Sequence, residues 1–169
     1  KIGAHCIIID SEIGVGTVIN PYSLVEGAKV GQHCFIGPYG RIRPETRIDD
    51  RAQIGNFVEI KNANVGFASR INHLSFIGDA LLEKGVTLGA GTITCNHDGA
   101  GINQTTIGEG AFVGSGSNLV APLIIGKNAT IGSGSTITDD VPEGKLTLGR
   151  SRQITIEDWL GPKRKISKE

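Results

Sequence analysis

The side chains best suited to proton transfer in this chain are four widely separated histidines, His5, His33, His73 and His97. Histidine changes its charge near neutral pH, so it suits general acid–base chemistry. His73 comes two residues after Ile71, which we expect to face inward, and this position taken alone predicts an exposed histidine in a turn. His5 and His33 have no neighbouring motif and are expected to be solvated.

The element that must position these groups is a six-residue repeat. An aliphatic residue recurs every six positions from Val30 to Ile60, and again from Ile107 to Ile137. Neither the 3.6-residue period of a helix nor the alternation along a strand gives this spacing. Hexapeptide repeats indicate a parallel β-helix, in which each repeat supplies one short strand and a tight turn. We therefore predict an all-β fold whose aliphatic side chains stack inside, each with a small residue four positions later.

The repeat has one large interruption, between Thr94 and Ile107. The residues between them are mostly polar or glycine and lack the stacking pattern, so they predict an extruded loop at about 95–106. Binding groups are often carried on loops that project from a rigid scaffold.

The coils are predicted to stop near Val141, and the chain divides into a repeat domain, 1–148, and a C-terminal segment, 149–169. Residues 155–160 are predicted to form a short helix that caps the open end, since a bare last coil would expose strands and core. The basic residues Lys163, Arg164 and Lys165 are expected to form a solvated tail.

Composition limits the possible functions. The formal net charge is zero, which argues against a general nucleic-acid binder, and no apolar stretch is long enough to span a membrane. Cys6 and Cys34 occupy the small inward position, so we expect buried thiols and a reducing, cytoplasmic setting. The chain contains no methionine and begins inside a repeat, which indicates a piece of a longer protein.

Several motifs together resemble the acetyltransferase domain of the bifunctional bacterial enzyme that makes UDP-N-acetylglucosamine. The motifs are Arg41-Ile42-Arg43-Pro44, Gly55-Asn56-Phe57-Val58-Glu59-Ile60-Lys61, Asn72-His73-Leu74, Gly78-Asp79-Ala80, Gly89-Ala90-Gly91-Thr92-Ile93-Thr94-Cys95-Asn96, Asp98-Gly99 and Leu119-Val120-Ala121-Pro122. The resemblance implies a left-handed parallel β-helix, a homotrimer, and transfer of an acetyl group from acetyl-CoA to the amine of glucosamine-1-phosphate. The family's uridyltransferase domain is absent from this chain, so no UTP chemistry is predicted for it.

The resemblance also implies roles for individual residues. His73 matches the general base, and Glu59 matches a carboxylate that orients the imidazole and stabilises its cation. The residues expected to contact the acceptor are Arg43, Lys61, Phe76, Thr87, Asn96 and His97. The residues expected to contact acetyl-CoA are Ala90, Ser115, Ser133 and Arg150. A backbone N–H near Ser115 is the expected oxyanion donor, and no catalytic metal is implied.

Four positions depart from the family's pattern in the acceptor site. Phe76 replaces a tyrosine, Thr87 an asparagine, His97 a tyrosine, and Ile102 a lysine that reaches into the site from the loop. A charged hydrogen bond is worth about 1.5–3 kcal/mol. These changes therefore predict looser binding of glucosamine-1-phosphate, or a related acceptor such as galactosamine-1-phosphate. His97 is expected to compensate in part when protonated.

Two other interpretations stay open. A γ-type carbonic anhydrase uses the same coils, but it needs three zinc-binding histidines with two close in sequence, and this chain has no H-x₄-H pair. A non-catalytic trimeric scaffold would form trimers and bind no acetyl-CoA. If the active site lies at a subunit boundary, the loop at about 95–106 is the segment expected to reach the neighbour.

Overall fold

The computed structural model describes residues 1–159 and 161, and these residues contain short β-strands and no helix. Each of the first seven coils contributes one strand to each of three parallel sheets, and the last coil contributes one strand to the first sheet and one to the third. The first sheet contains β1 (Ile7–Ile9), β4 (Leu24–Glu26), β7 (Arg41–Ile42), β10 (Glu59–Lys61), β13 (Phe76–Gly78), β16 (Ile93–Cys95), β19 (Asn118–Val120) and β22 (Thr136–Ile137). The second contains β2 (Glu12–Ile13), β5 (Lys29–Val30), β8 (Arg47–Ile48), β11 (Asn64–Val65), β14 (Ala80–Leu82), β17 (Thr105–Ile107) and β20 (Leu123–Ile125). The third contains β3 (Val18–Ile19), β6 (Phe35–Ile36), β9 (Gln53–Asn56), β12 (Arg70–His73), β15 (Thr87–Leu88), β18 (Phe112–Val113), β21 (Thr130–Ile131) and β23 (Leu146–Thr147).

The core is a stack of aliphatic side chains, as the six-residue repeat predicts. Ile42, Ile60 and Ile77 pair in register on neighbouring strands of the first sheet, and all three are fully buried. The small position beside them is filled by residues such as Cys34, which is also fully buried. Cys6, in the first coil, is only partly buried and packs against the core. The prediction of an all-β parallel β-helix built from hexapeptide repeats is confirmed.

Three edges join the sheets. The His73 edge is the series of turns from the third sheet to the first and includes residues 72–75. The loop edge is the series of turns from the first sheet to the second, and residues 96–104 leave the coils there between β16 and β17. The third series of turns, from the second sheet to the third, contains Glu109 and is called the Glu109 edge. The extruded loop predicted at about 95–106 is therefore present, and an antiparallel bridge between His97 and Ile102 closes it.

The predicted C-terminal helix is not formed over residues 155–159, which follow β23 as irregular chain with a turn. Ile154, Ile156 and Trp159 are 85%, 67% and 69% exposed, so their side chains find no core to cover. A helix this short is unstable in water without such packing. The predicted basic tail at Lys163, Arg164 and Lys165 lies outside the described residues, and the division at residue 148 stays a prediction. No helix in the described part of the chain has the length and apolarity needed to cross a membrane.

Candidate active site

His73 is an exposed histidine at the end of β12, held by one side-chain contact. Its Nδ1 lies 2.9 Å from Oδ1 of Asn56, which occupies the same position on the neighbouring strand β9. An amide oxygen accepts hydrogen bonds and cannot donate them, so Nδ1 must carry the proton in this contact. Nε2 of His73 therefore keeps a free lone pair, which is what a general base requires.

Glu59 does not take the position expected of it beside the imidazole. Its Oε1 accepts a hydrogen bond from Nη1 of Arg43 at 2.9 Å and lies 3.7 Å from Nη1 of Arg41. Glu59 and the two arginines lie on the first sheet, where β7 and β10 are direct neighbours. In a single chain Asn56 makes that contact and the Glu59 carboxylate pairs with arginine. The expectation that Glu59 orients His73 stays a prediction.

Arg43 and Lys61 both lie on the outer side of the first sheet, on neighbouring coils. Their side chains are 35% and 33% exposed, so each is accessible but partly supported by its surroundings. Arg43 is paired with Glu59, and Nζ of Lys61 lies 3.9 Å from Oδ2 of Asp79. Each cation thus has one nearby carboxylate and retains further N–H donors for an anionic ligand.

Phe76 and Asn96 complete the group on this side of the molecule. Phe76 is half-buried and pairs in register with Glu59, and Asn96 is half-buried directly after β16. Gly78 separates them, and a Cβ built there would lie 2.8 Å from both the Phe76 ring and Nδ2 of Asn96. The absence of a side chain at Gly78 therefore allows the phenyl ring and the amide to approach each other.

Thr87 lies on a different sheet from that group, and His97 directly follows Asn96 on the loop. Thr87 is in β15 of the third sheet, in register with Arg70 and Phe112. His97 is exposed on the loop, where its Nδ1 accepts a hydrogen bond from the N–H of Gly99 at 3.0 Å. The neutral ring therefore presents Nε2–H, and the protonated form expected to compensate for lost charge would have to break this hydrogen bond.

The residues expected to contact acetyl-CoA follow one another along the His73 edge. Ile71 and Leu88 pair in register on neighbouring strands, and His73 and Ala90 each lie two residues after them. The main-chain oxygens of Ala90 and Ser115 accept hydrogen bonds from N–H groups of the next coil, both at 2.8 Å. Ser133 takes the same position one coil later, after Ile131. Arg150 is exposed beyond the last coil.

Side-chain size changes sharply along the His73 edge. On one side of His73 the turns carry His5, Tyr22, Tyr39 and Phe57, whose rings stack with centroids 5.0–5.2 Å apart. On the other side the matching turn positions are the glycines Gly91, Gly116 and Gly134. The second half of the edge is therefore a strip of small residues, open to an extended ligand whose reactive end lies near His73.

Ser115 offers a main-chain donor in this strip. Its residue is exposed, and its N–H donates to no group among the described residues. A Cβ built on Gly89 would lie 2.4 Å from the Ser115 nitrogen, so a side chain at position 89 would crowd this amide. The amide thus has no hydrogen-bond acceptor among the described residues, and its role as an oxyanion donor stays a prediction.

Asp98 organises the extruded loop. Its Oδ1 accepts hydrogen bonds from the N–H groups of Ala100 and Gly101 at 2.8 and 2.7 Å, and its Oδ2 accepts one from Nδ2 of Asn103 at 2.9 Å. The backbone N–H of Gly101, then that of Ala100 and then the Asn103 amide, lower the pKa of the Asp98 carboxyl from 3.8 to about 2. The loop therefore has an ordered tip built around one carboxylate.

Two residues in contact with the predicted site, Asn56 and Asp79, were assigned no role from the sequence. Asn56 precedes His73 by 17 residues, which is the length of one three-strand coil, so the repeat itself could have paired them. Among the described residues, no three His, Cys, Asp or Glu side chains lie together in a way that would hold a metal ion.

The described residues thus form a solenoid of hexapeptide-repeat coils with a histidine at one edge. The family described as bacterial transferase hexapeptide (six repeats) matches residues 104–139. Over nearly its whole length, the chain is about 50% identical to a part of several proteins described as bifunctional protein GlmU.

Two relatives illustrate the match. The chain is 51% identical to the bifunctional protein GlmU of Nitrosospira multiformis, over 98% of the chain and 36% of that protein. It is 54% identical to the bifunctional protein GlmU of Acidithiobacillus ferrooxidans, over 97% of the chain and 36% of that protein. The chain thus spans about a third of the length of the curated relatives that it matches.

Solved structures of lower identity share the fold. A UDP-N-acetylglucosamine acyltransferase from Campylobacter jejuni has a TM-score of 0.58 at 21% identity, over 86% of this chain and 70% of that one. The acetyltransferase domain of PglB from Neisseria gonorrhoeae, in complex with acetyl coenzyme A, has a TM-score of 0.50 at 21% identity, over 80% of this chain and 55% of that one.

Proposed function

We propose that this chain is an N-acetyltransferase that moves the acetyl group of acetyl-CoA to the amine of glucosamine-1-phosphate, on the route to UDP-N-acetylglucosamine. The observation that carries the proposal is the contact between Asn56 and His73, which leaves Nε2 of the imidazole free to accept a proton. The identity of about 50% to bifunctional GlmU over nearly the whole chain supports the same activity.

The reaction needs a base because an amine attacks a thioester only with its lone pair free. As the new N–C bond forms, Nε2 of His73 takes a proton from the amine, a contribution worth roughly 10²–10⁴-fold. The thioester oxygen gains negative charge at the same time, and the Ser115 N–H donates to it, which is worth roughly 10²–10³-fold in comparable sites. The C–S bond then breaks and coenzyme A leaves as a thiolate, which takes up a proton.

The two substrates approach from different sides of the edge. The strip that contains Ala90, Ser115 and Ser133 accommodates the extended arm of coenzyme A, and Arg150 meets its phosphates. A similar acetyltransferase domain was solved with acetyl coenzyme A bound, which supports this co-substrate.

Arg43 and Lys61 bind the phosphate of the acceptor. A planar guanidinium and a compact ammonium ion complement a phosphate dianion, and both side chains are accessible on the first sheet. Because Glu59 pairs with Arg43, we assign Glu59 the role of orienting that guanidinium.

We further propose that the working enzyme is a homotrimer with active sites at subunit boundaries. Thr87 lies on the third sheet, whereas Phe76 and Asn96 lie on the first sheet and after it. A neighbouring subunit that presents its third sheet or its loop to the His73 edge would bring its own Thr87 or His97 next to Phe76 and Asn96. The loop at residues 96–104, with His97 exposed on it, is suited to reach across.

Galactosamine-1-phosphate is the second candidate acceptor. Phe76 has no hydroxyl group, and Ile102 is a 58% exposed apolar side chain on the loop, so two polar contacts expected in the family are missing. A looser acceptor site follows from this loss. The proposal also includes a cytoplasmic location, in keeping with the free thiols of Cys6 and Cys34.

The proposal is tested by steady-state release of coenzyme A from acetyl-CoA, with glucosamine-1-phosphate and galactosamine-1-phosphate compared at matched concentrations. We expect turnover with glucosamine-1-phosphate and a higher kcat/KM for it. A higher kcat/KM for galactosamine-1-phosphate would change the assigned acceptor. No turnover and no binding of acetyl-CoA would favour the non-catalytic trimeric scaffold.

A further inference from the structure

Asp79 is a buried carboxylate on the loop edge, between β13 and β14. Its side chain is only 8% exposed, and its backbone has a φ of 50°, a conformation that aspartate tolerates better than most residues. A charged group removed from water is stable only when it is paired and hydrogen-bonded. The groups that contact the Asp79 carboxylate therefore indicate its role.

Three nitrogen groups surround this carboxylate. Nδ2 of Asn62 donates to Oδ1 at 2.6 Å, Nδ2 of Asn96 donates a short hydrogen bond to Oδ2, and Nζ of Lys61 lies 3.9 Å from Oδ2. Lys61 and Asn96 are two of the residues assigned to the acceptor site. A single buried carboxylate thus contacts both of them.

The contact with Asp79 fixes the orientation of the Asn96 side chain. Because its NH₂ group donates to the carboxylate, its Oδ1 is turned away from Asp79 and is left to accept a hydrogen bond from a ligand N–H or O–H. Gly78 has no side chain to disturb this arrangement, since a Cβ there would lie 2.8 Å from the same NH₂ group.

Asp79 also contacts both ends of the extruded loop. Its carboxylate holds Asn96 at the start of the loop, and its main-chain oxygen accepts a hydrogen bond from the N–H of Thr105 at the end, at 3.2 Å. The N–H of Asn103 donates to the main-chain oxygen of Asn96 at 2.7 Å, which closes the stem between them.

We propose that Asp79 is a positioning residue of the acceptor site, which holds Asn96 with its carbonyl oxygen toward the amino sugar and holds Lys61 toward the phosphate. This inference rests on the proposed acetyltransferase function. Asp79 does not touch the reacting atoms, and it acts through the two residues that meet the acceptor.

The test is the variant Asp79→Asn, measured by steady-state kinetics on the whole 169-residue chain. An amide at position 79 presents one NH₂ group, which repels the NH₂ group of Asn62 or Asn96. We expect KM for glucosamine-1-phosphate to rise about 10-fold, with KM for acetyl-CoA changed by less than about twofold. The matched control is Asp50→Asn, which alters another turn carboxylate that accepts a main-chain N–H, from Gln32 at 2.7 Å, and should change neither KM.

A second variant separates positioning from folding. In Asn62→Asp combined with Asp79→Asn, the NH₂ group of position 79 donates to the new carboxylate and its oxygen still accepts from Asn96, so every hydrogen bond of the cluster can form. We expect this double variant to restore KM for glucosamine-1-phosphate to within about threefold of the unaltered chain. Its result stands by itself if Asp79→Asn alone does not fold.

The inference is overturned if Asp79→Asn leaves the KM for glucosamine-1-phosphate unchanged, or if it raises this KM and the KM for acetyl-CoA equally. It is also overturned if the double variant still shows a rise of about 10-fold in the KM for glucosamine-1-phosphate. These outcomes require an active unaltered chain. An unaltered chain without turnover would instead refute the proposed function, and this inference with it.

Discussion

Asn56 and His73 occupy the same position on neighbouring strands of the third sheet, and Oδ1 of Asn56 lies 2.9 Å from Nδ1 of His73. One coil of the solenoid therefore orients the proton-accepting group of the next. A carboxylate in this position would place a negative charge beside the imidazole, whereas the neutral amide fixes the tautomer without adding charge.

Replacing Asn56 with leucine should leave the imidazole without its hydrogen-bond acceptor. Asn56→Leu keeps a similar volume, and we expect kcat to fall about 10-fold, since a hydrogen bond contributes about 0.5–1.5 kcal/mol. The ¹⁵N chemical shifts of the His73 ring should change from a single tautomer to a mixture, which NMR can measure directly.

The matched control for Asn56→Leu is Asn20→Leu on the same edge. Nδ2 of Asn20 donates to the main-chain oxygen of Gly37 at 3.2 Å, so this variant also loses one hydrogen bond, but several coils away from His73. Its kcat should stay within about twofold of the unaltered chain. Equal losses of kcat in the two variants would mean that Asn56 acts only through stability.

A large side chain in the strip of small residues should block the binding of acetyl-CoA. Gly116 has a φ of 68°, and Tyr39 adopts a φ of 56° at the matching turn position, so Gly116→Tyr can keep the backbone unchanged. We expect KM for acetyl-CoA to rise about 10-fold or more, about 1.4 kcal/mol of lost binding. Gly85→Tyr is the control on the Glu109 edge, with a φ of 69° and open space around it. The proposal that acetyl-CoA binds along this strip is wrong if both variants leave the KM for acetyl-CoA unchanged.

The loop tip should lose order in acid. Because the pKa of Asp98 is lowered from 3.8 to about 2, its contribution to loop order is complete above about pH 4 and is lost as the pH falls through about 2. The N–H signal of Gly101, followed by NMR during an acid titration, should report a midpoint near 2. In Asp98→Asn this transition should disappear, and a midpoint near 4 in the unaltered chain would contradict the hydrogen-bonded loop.

The stacked core should make inward and outward isoleucines differ sharply in importance. Ile60 is fully buried, whereas Ile93 on the same sheet is 41% exposed. We expect Ile60→Ala to lower the free energy of unfolding by about 2–5 kcal/mol, and Ile93→Ala to lower it by less than about 1 kcal/mol. Denaturation in urea measures both changes, and similar losses for the two variants would contradict the register of the coils.

The sequence predicted the fold because its signal is repeated along the chain. From Val30 to Ile60 and from Ile107 to Ile137, each aliphatic residue that the spacing placed inside is buried, and the break before Ile107 is the extruded loop. The C-terminal helix is not formed because the apolar side chains of Ile156 and Trp159 have nothing to pack against in the part of the chain that the structure describes. A local pattern cannot say whether such a partner exists.

The site was harder to predict, because it depends on contacts between coils. Glu59 lies one coil from both Arg43 and Phe76, and only the register decides that it pairs with the guanidinium. Asn56 and Asp79 lie within the motifs that carry the resemblance, but the sequence assigned them no role. Their roles follow from side-chain directions, which a spacing of 17 residues suggests but cannot fix.

The proposed mechanism depends most on His73 as the base, and one measurement tests this role directly. Coenzyme A release from acetyl-CoA and glucosamine-1-phosphate is measured for the unaltered chain, for His73→Ala, and for His33→Ala as an exposed histidine on another edge. We expect kcat to fall roughly 10²–10⁴-fold for His73→Ala and to stay unchanged for His33→Ala. Turnover by His73→Ala at the rate of the unaltered chain would contradict the proposed mechanism.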